Sequence, residues 1–301
     1  MSRERVVVNE VGPRDGLQNQ QKSLSPEDRV ELIRALFAAG LGHIEAGSFV
    51  SPKVVPQMAG ADRVLAAFTP EERAKLSVLV PNAKGYELAR AAGATRIALV
   101  LSATDTMSVK NIGMDAQQVL DVALGLIARG RTEGVYIQAY ISVAFECPFE
   151  GKVDPARVEA LVEQLLQAGA PEVVIADTIG AASPSAVKAM MRRLVLRHGA
   201  GAIAAHFHDT RAMAVANCYA ALDAGVRKFD SSIAGLGGCP FAPGASGNVA
   251  TEDVVLLLEG CGMDTGVGMP ALLEAGRLAQ ELTGSAPGPR AQGWFRKRYA
   301  A

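Results

Sequence analysis

The chain has 301 residues, of which 49% are hydrophobic and 20% are charged, and its formal net charge is -1. This composition is typical of a folded globular protein and argues against a disordered chain. Because the chain has no basic excess and no apolar run of membrane-spanning length, we expect neither a nucleic-acid-binding protein nor a membrane protein.

The N-terminal residues and the cysteines indicate a cellular compartment. No signal-peptide-like segment precedes the first apolar run, Val6-Val7-Val8. The four cysteines are scattered along the chain, so we expect no disulfide framework. A cytoplasmic location is therefore the expectation.

Short apolar strands alternate with helices along the chain. The predicted strands are residues 6–8, 43–46, 76–80, 96–101, 135–142, 172–176, 202–206 and 228–233. The predicted helices that follow them are residues 26–40, 58–68, 83–92, 116–129, 155–168, 184–198, 213–224 and 251–259. Ser25 is the expected N-cap of the first helix because Pro26 follows it, and Gly40, Gly169 and Gly225 are expected helix stops.

Eight strand–helix pairs in this length predict an α/β protein with a (β/α)8 TIM barrel fold. The alternative is an open, doubly wound sheet. No dinucleotide-binding fingerprint follows the first strand, and no linker rich in Pro, Gly or Ser divides the chain into halves. We therefore predict one catalytic barrel domain over residues 1–301, with a C-terminal helical tail from about residue 268.

Polar side chains collect at the carboxyl ends of the predicted strands, where the chemistry of such barrels takes place. They are Arg14, Asp15 and Gln18 after the first strand, Glu45 on the second, Tyr140 on the fifth, Asp177 after the sixth, His206 and His208 on and after the seventh, and Cys239 and Asn248 after the eighth. Buried ionisable groups are costly unless they are paired or bound to metal, so this convergence indicates an active site.

His206 and His208 stand two residues apart at the end of an apolar strand, so their side chains point to the same face. A pair of hydrogen-bonded core histidines would show the same spacing. With Asp15 and Asn248 as oxygen donors, however, the pair predicts a mixed nitrogen and oxygen metal site. Such a site favours Mg²⁺ or Mn²⁺, while Zn²⁺ stays possible.

Cys239 lies in a glycine-rich loop between Gly238 and Pro240, which suits a mobile lid. A cysteine in such a loop can also be inert. Beside a cationic centre, its thiol could exchange protons near neutral pH.

Five segments resemble the 3-hydroxy-3-methylglutaryl-CoA lyase family in matching order from about Val8 to Gly276. They are GPRDGLQN (12–19), SFVSPK (48–53), DTIG (177–180), HFHDT (206–210) and GLGGCPFAPGASGNVATED (235–253). The long glycine–cysteine segment is the most specific of them. The resemblance also covers the pair Lys110-Asn111.

The resemblance implies a retro-Claisen-type cleavage of a hydroxyacyl-CoA to acetyl-CoA and acetoacetate, and a homodimer that belongs to leucine degradation. It implies Asp15, His206, His208 and Asn248 as ligands of a divalent ion, and Arg14, Glu45, Asp177 and Cys239 as catalytic residues. It also implies Arg14, Gln18, Lys110, Asn111 and Tyr140 as contacts of the acyl-CoA. Asp15, Glu45 and His206 all remain candidates for the general base.

The chain departs from the family pattern at three places, which we expect to lie close to the pocket. Arg211-Ala212-Met213 stands where Tyr-Gly-Gln is usual, Gln138-Ala139 where Arg-Gly is typical, and Phe145-Glu146 where small residues are usual. The substrate could therefore be a different 3-hydroxy-3-carboxymethyl acyl-CoA or a citramalyl-type CoA ester.

Two other classes of protein remain as alternatives. A Claisen-condensing synthase, such as an isopropylmalate or homocitrate synthase, usually has His-Asn-Asp where this chain has His-Asp-Thr, and it lacks the Cys239 loop. A non-catalytic CoA-ester binder would not need the full set of acids, histidines and cysteine.

Overall fold

The computed structural model describes residues 3–238 and 247–299, and its centre is a closed barrel of eight parallel strands. The barrel strands are Val7–Glu10 (β1), His43–Ser48 (β2), Leu76–Leu79 (β3), Arg96–Ser102 (β4), Tyr136–Ser142 (β5), Glu172–Asp177 (β8), Ile203–Phe207 (β9) and Lys228–Ser231 (β10). Their order is β1-β10-β9-β8-β5-β4-β3-β2, and a separate antiparallel hairpin consists of Glu146–Cys147 (β6) and Gly151–Lys152 (β7). The predicted TIM barrel is confirmed.

Helices connect the barrel strands. They are Pro26–Ala38 (α1), Ala61–Ala66 (α2), Pro70–Arg73 (α3), Ala83–Ala91 (α4), Asp105–Ile112 (α5), Ala116–Glu133 (α6), Pro155–Ala168 (α7), Pro184–His198 (α8), Ala214–Asp223 (α9), Thr251–Gly260 (α10), Met269–Thr283 (α11) and Gln292–Tyr299 (α12). Short turns are Gly12–Gly16 (a π-helical turn) and the 3₁₀ turns Pro56–Met58 and Ile233–Gly235. Among the described residues, no helix is both long and apolar enough to cross a membrane.

Several helices begin or end at the residues that the sequence predicts. The Ser25 side chain accepts a hydrogen bond from the Asp28 backbone N–H, and the Asp28 carboxylate accepts one from the Ser25 N–H, so α1 begins with a reciprocal cap. Gly169 adopts a left-handed conformation, with a φ of 104°, and ends α7. The helices predicted over 155–168 and 184–198 have those bounds in the structure.

Two features differ from the sequence prediction. The helix predicted from residue 58 begins only at Ala61, because Pro56–Met58 forms a 3₁₀ turn and Gly60 is left-handed, with a φ of 74°. The short helix α5 was missed, since its eight residues are separated from α6 by only three and it has no side-chain hydrogen bond at its N-cap. Its position matters, because α5 follows β4 and so lies at the carboxyl end of the barrel.

At the opposite, amino-terminal end of the barrel, four polar side chains contact one another. We call them the base cluster: Tyr136, Gln138, Glu172 and Lys228. The Glu172 carboxylate accepts hydrogen bonds from Gln138 Nε2 at 2.6 Å, from the Tyr136 hydroxyl at 3.2 Å and from Lys228 Nζ. Glu172 and Lys228 are the first residues of their strands, and Gln138 pairs with Glu172 in register. The expectation that Gln138 lies near the pocket is therefore wrong, because its amide points to the base of the barrel.

Candidate metal centre and active site

Asp15, His206 and His208 come together at the carboxyl end of the barrel. Asp15 belongs to the π-helical turn after β1, His206 is on β9, and His208 follows that strand. Each offers a ligand atom, and these three atoms lie within 4.8 Å of one another. This is the arrangement that the two-residue spacing of the histidines predicted.

Asn248 joins this group through the backbone and the side chain. A β-bridge pairs Asn248 with His208. The Asn248 side-chain amide donates to Asp15 Oδ2 at 2.8 Å. All four residues expected to bind a metal ion therefore occupy one place.

The four residues fit a divalent cation by an observation of their own. Asn248 Oδ1 and His208 Nδ1 are buried, and neither has a hydrogen-bond partner within the described ranges. A buried acceptor without a partner costs roughly 1–3 kcal/mol. A cation that accepts nitrogen and oxygen ligands would remove this cost, so the donor set suits such an ion.

Asp230 orients His206. Its Oδ2 lies 3.0 Å from His206 Nδ1, and its Oδ1 accepts a hydrogen bond from Asn9 Nδ2 at 2.8 Å. Burial disfavours the charged imidazole, but the hydrogen bond and the charges of Asp230 and Asp15 outweigh it, so the pKa of His206 is raised. With Nδ1 engaged, His206 presents Nε2 to the centre.

Sequence reasoning missed both Asp230 and Asn9. They are register partners on β10 and β1, and Asp230 also pairs with His206 on β9. The available signal was a polar residue within each apolar strand, at a position that the strand alternation places inside the barrel.

Arg14 forms a buried ion pair with Glu45 and a partly buried one with Asp15. Its Nε donates to Glu45 Oε2 at 2.7 Å, and its Nη1 donates to Asp15 Oδ1, also at 2.7 Å. Burial alone would raise the pKa of Asp15, but the charges of Arg14, His206 and His208 outweigh it and lower that pKa. Asp15 is therefore an ionised carboxylate.

Glu45 has a different electrostatic environment from Asp15. Burial raises the pKa of Glu45 to about 7, although Arg14 acts in the opposite direction. One of its oxygens, Oε1, is buried and has no hydrogen-bond partner in the part of the chain that the structure describes. A carboxyl group with a pKa near neutrality can both take up and release a proton at physiological pH.

Tyr140, on β5, packs beside His206. Its ring meets the His206 ring edge-on, with 6.2 Å between the ring centroids. The hydroxyl is buried and has no partner among residues 3–238 and 247–299. Burial, together with the charges of Asp230 and Glu45, raises the pKa of Tyr140 well above its usual value. Its neutral hydroxyl is thus available to hydrogen-bond a ligand.

Asp177 lies at the end of β8, but both its oxygens are already engaged. Oδ1 accepts from the Ala181 N–H at 2.8 Å, and Oδ2 accepts from the Ala182 N–H at 3.0 Å. These bonds fix the loop after β8. Each oxygen keeps a second lone pair, so the catalytic role expected of Asp177 stays a prediction.

The remaining predicted contacts lie further out. Gln18 is half-buried, and Lys110 and Asn111 are exposed on α5. Lys110 Nζ lies 4.9 Å from the centroid of the Phe149 ring, which belongs to the turn of the β6–β7 hairpin. Cys239 lies outside the described residues.

Of the two other departures from the family pattern, Arg211 is the better defined. Its guanidinium donates to the carbonyl oxygens of Gly180, Ala181 and Ala182, in the loop that Asp177 also holds. Phe145 is half-buried against the core. Both residues follow barrel strands at their carboxyl ends.

Comparison with known proteins gives a consistent result. The family model described as HMGL-like matches residues 5–279. The hydroxymethylglutaryl-CoA lyase of Pseudomonas mevalonii is 44% identical over 278 residues, which cover 92% of this chain and 92% of that protein. The (R)-citramalyl-CoA lyase of Chloroflexus aurantiacus is 43% identical over 282 residues, which cover 90% and 89%.

A solved structure has the same architecture. The crystal structure of hydroxymethylglutaryl-CoA lyase from Pseudomonas aeruginosa matches with a TM-score of 0.92 and 41% identity. The match covers 98% of this chain and 99% of that chain. The likeness therefore extends over the barrel and the C-terminal helices.

Proposed function

This chain belongs to the HMGL-like family, and from that premise we propose that it is a carbon–carbon lyase that cleaves 3-hydroxy-3-methylglutaryl-CoA to acetyl-CoA and acetoacetate. The observation that carries the proposal is the convergence of Asp15, His206 and His208 beside the Arg14–Glu45 ion pair. Relatives of comparable length and 43–44% identity are acyl-CoA lyases by name.

Asp15, His206, His208 and Asn248 would hold one divalent ion, and their nitrogen and oxygen donors favour Mg²⁺ or Mn²⁺. Such an ion would supply Lewis-acid chemistry that lowers the pKa of the substrate's tertiary hydroxyl. Asp230 keeps His206 oriented for this task.

Glu45 is the general base in this proposal. Its Oε1 is unpaired and its pKa of about 7 suits proton uptake at neutral pH, whereas the ionised Asp15 is a ligand with a lowered pKa. Glu45 takes the proton of the tertiary hydroxyl. The carbon–carbon bond then breaks, the hydroxyl carbon becomes the ketone of acetoacetate, and the electron pair passes into the thioester as the acetyl-CoA enolate.

Arg14 stabilises the charge that develops on the thioester oxygen. Two of its nitrogens are fixed by Glu45 and Asp15, so the guanidinium is oriented before the substrate arrives. Its Nη2 donates to no acceptor among the described residues and can reach the enolate oxygen. The Cys239 thiol is the proposed proton donor to the enolate carbon.

Contacts outside the reacting atoms would hold the rest of the substrate. Tyr140 can donate its hydroxyl hydrogen to the substrate's carboxylate or hydroxyl. Lys110 and Asn111 are exposed at the carboxyl end of the barrel and would meet the polar part of CoA. Gln18 would contact the substrate between Tyr140 and this pair.

A second substrate is supported by the residues around the pocket. Arg211 and Phe145 replace the residues usual in the family, and the citramalyl-CoA lyase is nearly as similar as the hydroxymethylglutaryl-CoA lyase. A longer 3-hydroxy-3-carboxymethyl acyl-CoA or a citramalyl-type CoA ester is therefore the alternative. We propose that the protein acts as a homodimer in the cytoplasm and contributes to leucine degradation.

The deciding experiment measures the products from purified protein with Mg²⁺ and each of three substrates: 3-hydroxy-3-methylglutaryl-CoA, a longer-branched homologue and citramalyl-CoA. We expect EDTA-sensitive release of acetyl-CoA and acetoacetate from the first. A preference for another ester would move the assignment to that substrate. A folded, Mg²⁺-supplied protein that cleaves none of the three would contradict lyase activity of this class.

A further inference from the structure

The segment between α11 and α12 contacts the metal centre indirectly. We call residues 284–291 the C-terminal clasp. Arg290 of the clasp donates through Nε to Asp209 Oδ2 at 2.6 Å and through Nη2 to the Asp209 carbonyl oxygen at 3.2 Å. Asp209 directly follows His208 in the chain, so the arginine reaches the residue next to a proposed ligand.

Asp209 is buried, and its hydrogen-bonding groups fix the segment that follows β9. Its N–H donates to the Gly247 carbonyl at 3.0 Å, and its Oδ1 accepts from the Ala214 N–H at 3.0 Å. Gly247 immediately precedes Asn248. Asp209 is thus covalently joined to His208 and hydrogen-bonded to the residue before Asn248, the two members of the β-bridge.

Arg290 is the only cation paired with the Asp209 carboxylate in the described ranges. The Asp209 side chain is 9% exposed, whereas the Arg290 side chain is 58% exposed and covers it from the solvent side. Without Arg290, Oδ2 would lose its partner within a largely buried site, and a buried carboxylate without its partner relaxes toward water. His208 and Asn248 are adjacent to that movement.

The backbone of the clasp is itself held in place. The N–H groups of Arg290 and Ala291 donate to the Asp253 carboxylate at 2.6 and 3.0 Å. The Gly288 N–H donates to the Ala234 carbonyl at 2.9 Å, at the start of the segment that leads to Cys239. Arg290 is therefore presented by a fixed main chain and not by a loose tail.

We propose that Arg290 is a positioning residue that acts through Asp209 to hold His208 and Asn248 in the geometry required for metal binding. This inference rests on the proposed metal site. The C-terminal region, predicted from the sequence only as a helical tail, would then help to position the metal ligands.

The test measures Mn²⁺ affinity by calorimetry and the EPR spectrum of bound Mn²⁺. The proteins are the wild type, Arg290→Ala, Arg290→Lys and the control Arg277→Ala. Arg277 is 62% exposed and pairs with Glu274 on α11, so it matches Arg290 in exposure and ion pairing. We expect Arg290→Ala to bind Mn²⁺ about tenfold more weakly, as is usual when a group that orients a ligand is lost. The spectrum should change as well.

The conservative variant and the double variant separate positioning from stability. Arg290→Lys keeps the charge and should recover most of the affinity. Asp209→Asn removes the charge that Arg290 pairs with, so it should also bind Mn²⁺ about tenfold more weakly, and it carries the test if Arg290→Ala does not fold. Asp209→Asn combined with Arg290→Ala should bind no more weakly than the weaker single variant, because both act through one contact. Arg277→Ala should bind like the wild type.

Two results would overturn the inference, and they differ in meaning. Wild-type affinity in folded Arg290→Ala, or in Asp209→Asn if Arg290→Ala does not fold, would reject the role of Arg290 while the metal site stands. Absence of Mn²⁺ binding by the wild type would reject the proposed metal site, and this inference with it.

Discussion

The base cluster and the candidate metal centre treat their polar groups in opposite ways. At the base cluster, the Glu172 carboxylate accepts hydrogen bonds from Gln138, Tyr136 and Lys228. Around the metal centre, the buried atoms without a partner in the part of the chain that the structure describes include Glu45 Oε1, Tyr140 OH, His208 Nδ1 and Asn248 Oδ1.

The difference distinguishes stability from function. A buried polar group that already has its partners contributes to the folded state and needs nothing more. Unpaired groups beside a metal centre cost folding free energy and are tolerated where a ligand completes them. Changes at the carboxyl end should therefore alter activity with little effect on stability, and changes at the base should do the reverse.

The largest effect is expected at Glu45. Glu45→Gln keeps an oxygen for Arg14 but removes the proposed base, so kcat should fall by roughly 10²- to 10⁴-fold. The wild-type rate should also decline as the pH falls below about 7, where Glu45 becomes protonated. Steady-state kinetics from pH 5.5 to 8.5 checks both. A kcat near that of the wild type in Glu45→Gln would assign the base elsewhere.

His208→Ala should give the next largest effect. Loss of a ligand should weaken Mn²⁺ binding by at least about 100-fold, since even a group that only orients a ligand contributes roughly 10- to 100-fold. The melting temperature without metal should fall only modestly, because the variant loses the packing of a buried ring but no hydrogen bond at Nδ1. Calorimetry and thermal unfolding measure the two quantities. A large drop in melting temperature with retained metal affinity would reverse the distinction between the two ends.

Glu172→Ala tests the other side of the comparison. It leaves Lys228, whose side chain is 23% exposed, without its carboxylate. We expect a loss of about 2–3 kcal/mol in the free energy of unfolding, less than for a fully buried pair. Urea denaturation measures this loss, while kcat and Mn²⁺ affinity of the folded fraction should be unchanged. A specific fall in Mn²⁺ affinity would show that the base is coupled to the metal centre.

The smallest effect is expected at Asp230. Asp230→Asn can still contact His206 and Asn9 but lacks the charge that stabilises the imidazole, so Mn²⁺ affinity should fall about tenfold. Asn9→Ala removes only the outer hydrogen bond and should have a weaker effect. An equal loss in the two variants would mean that orientation, and not charge, is what Asp230 supplies.

Local sequence signals carried much of the fold and the centre of the site. Apolar strands and helix caps such as Ser25 are recognised from residues that are close together in the chain. Their alternation along the sequence was therefore enough to predict the barrel. His206 and His208 lie on one strand face for the same local reason, and their meeting with Asp15 follows from the fold class.

The sequence analysis erred on how far along the barrel axis a side chain lies, and it missed contacts between residues that are far apart in the chain. Gln138 and Tyr140 point to the same face of β5, yet two residues of strand, at about 3.3 Å each, separate the base from the site. The contact of Asp230 with Asn9 joins positions 221 residues apart, and that of Arg290 with Asp209 joins positions 81 apart. Pairings of this kind depend on strand register and on the path of the C-terminal segment, which no local pattern contains.

The barrel closes where its first strand pairs with its last, from Val7 beside Lys228 to Glu10 beside Ser231. Joining two such distant parts of a chain has a large entropic cost, so this seam should form late in folding. Asp15 lies on one side of the seam, and His206 and Asn248 lie on the other. An ion bound by all three is a cross-link over the place where the barrel would open. The lifetime of the folded chain should then depend on metal concentration, and resistance to proteolysis should rise with it.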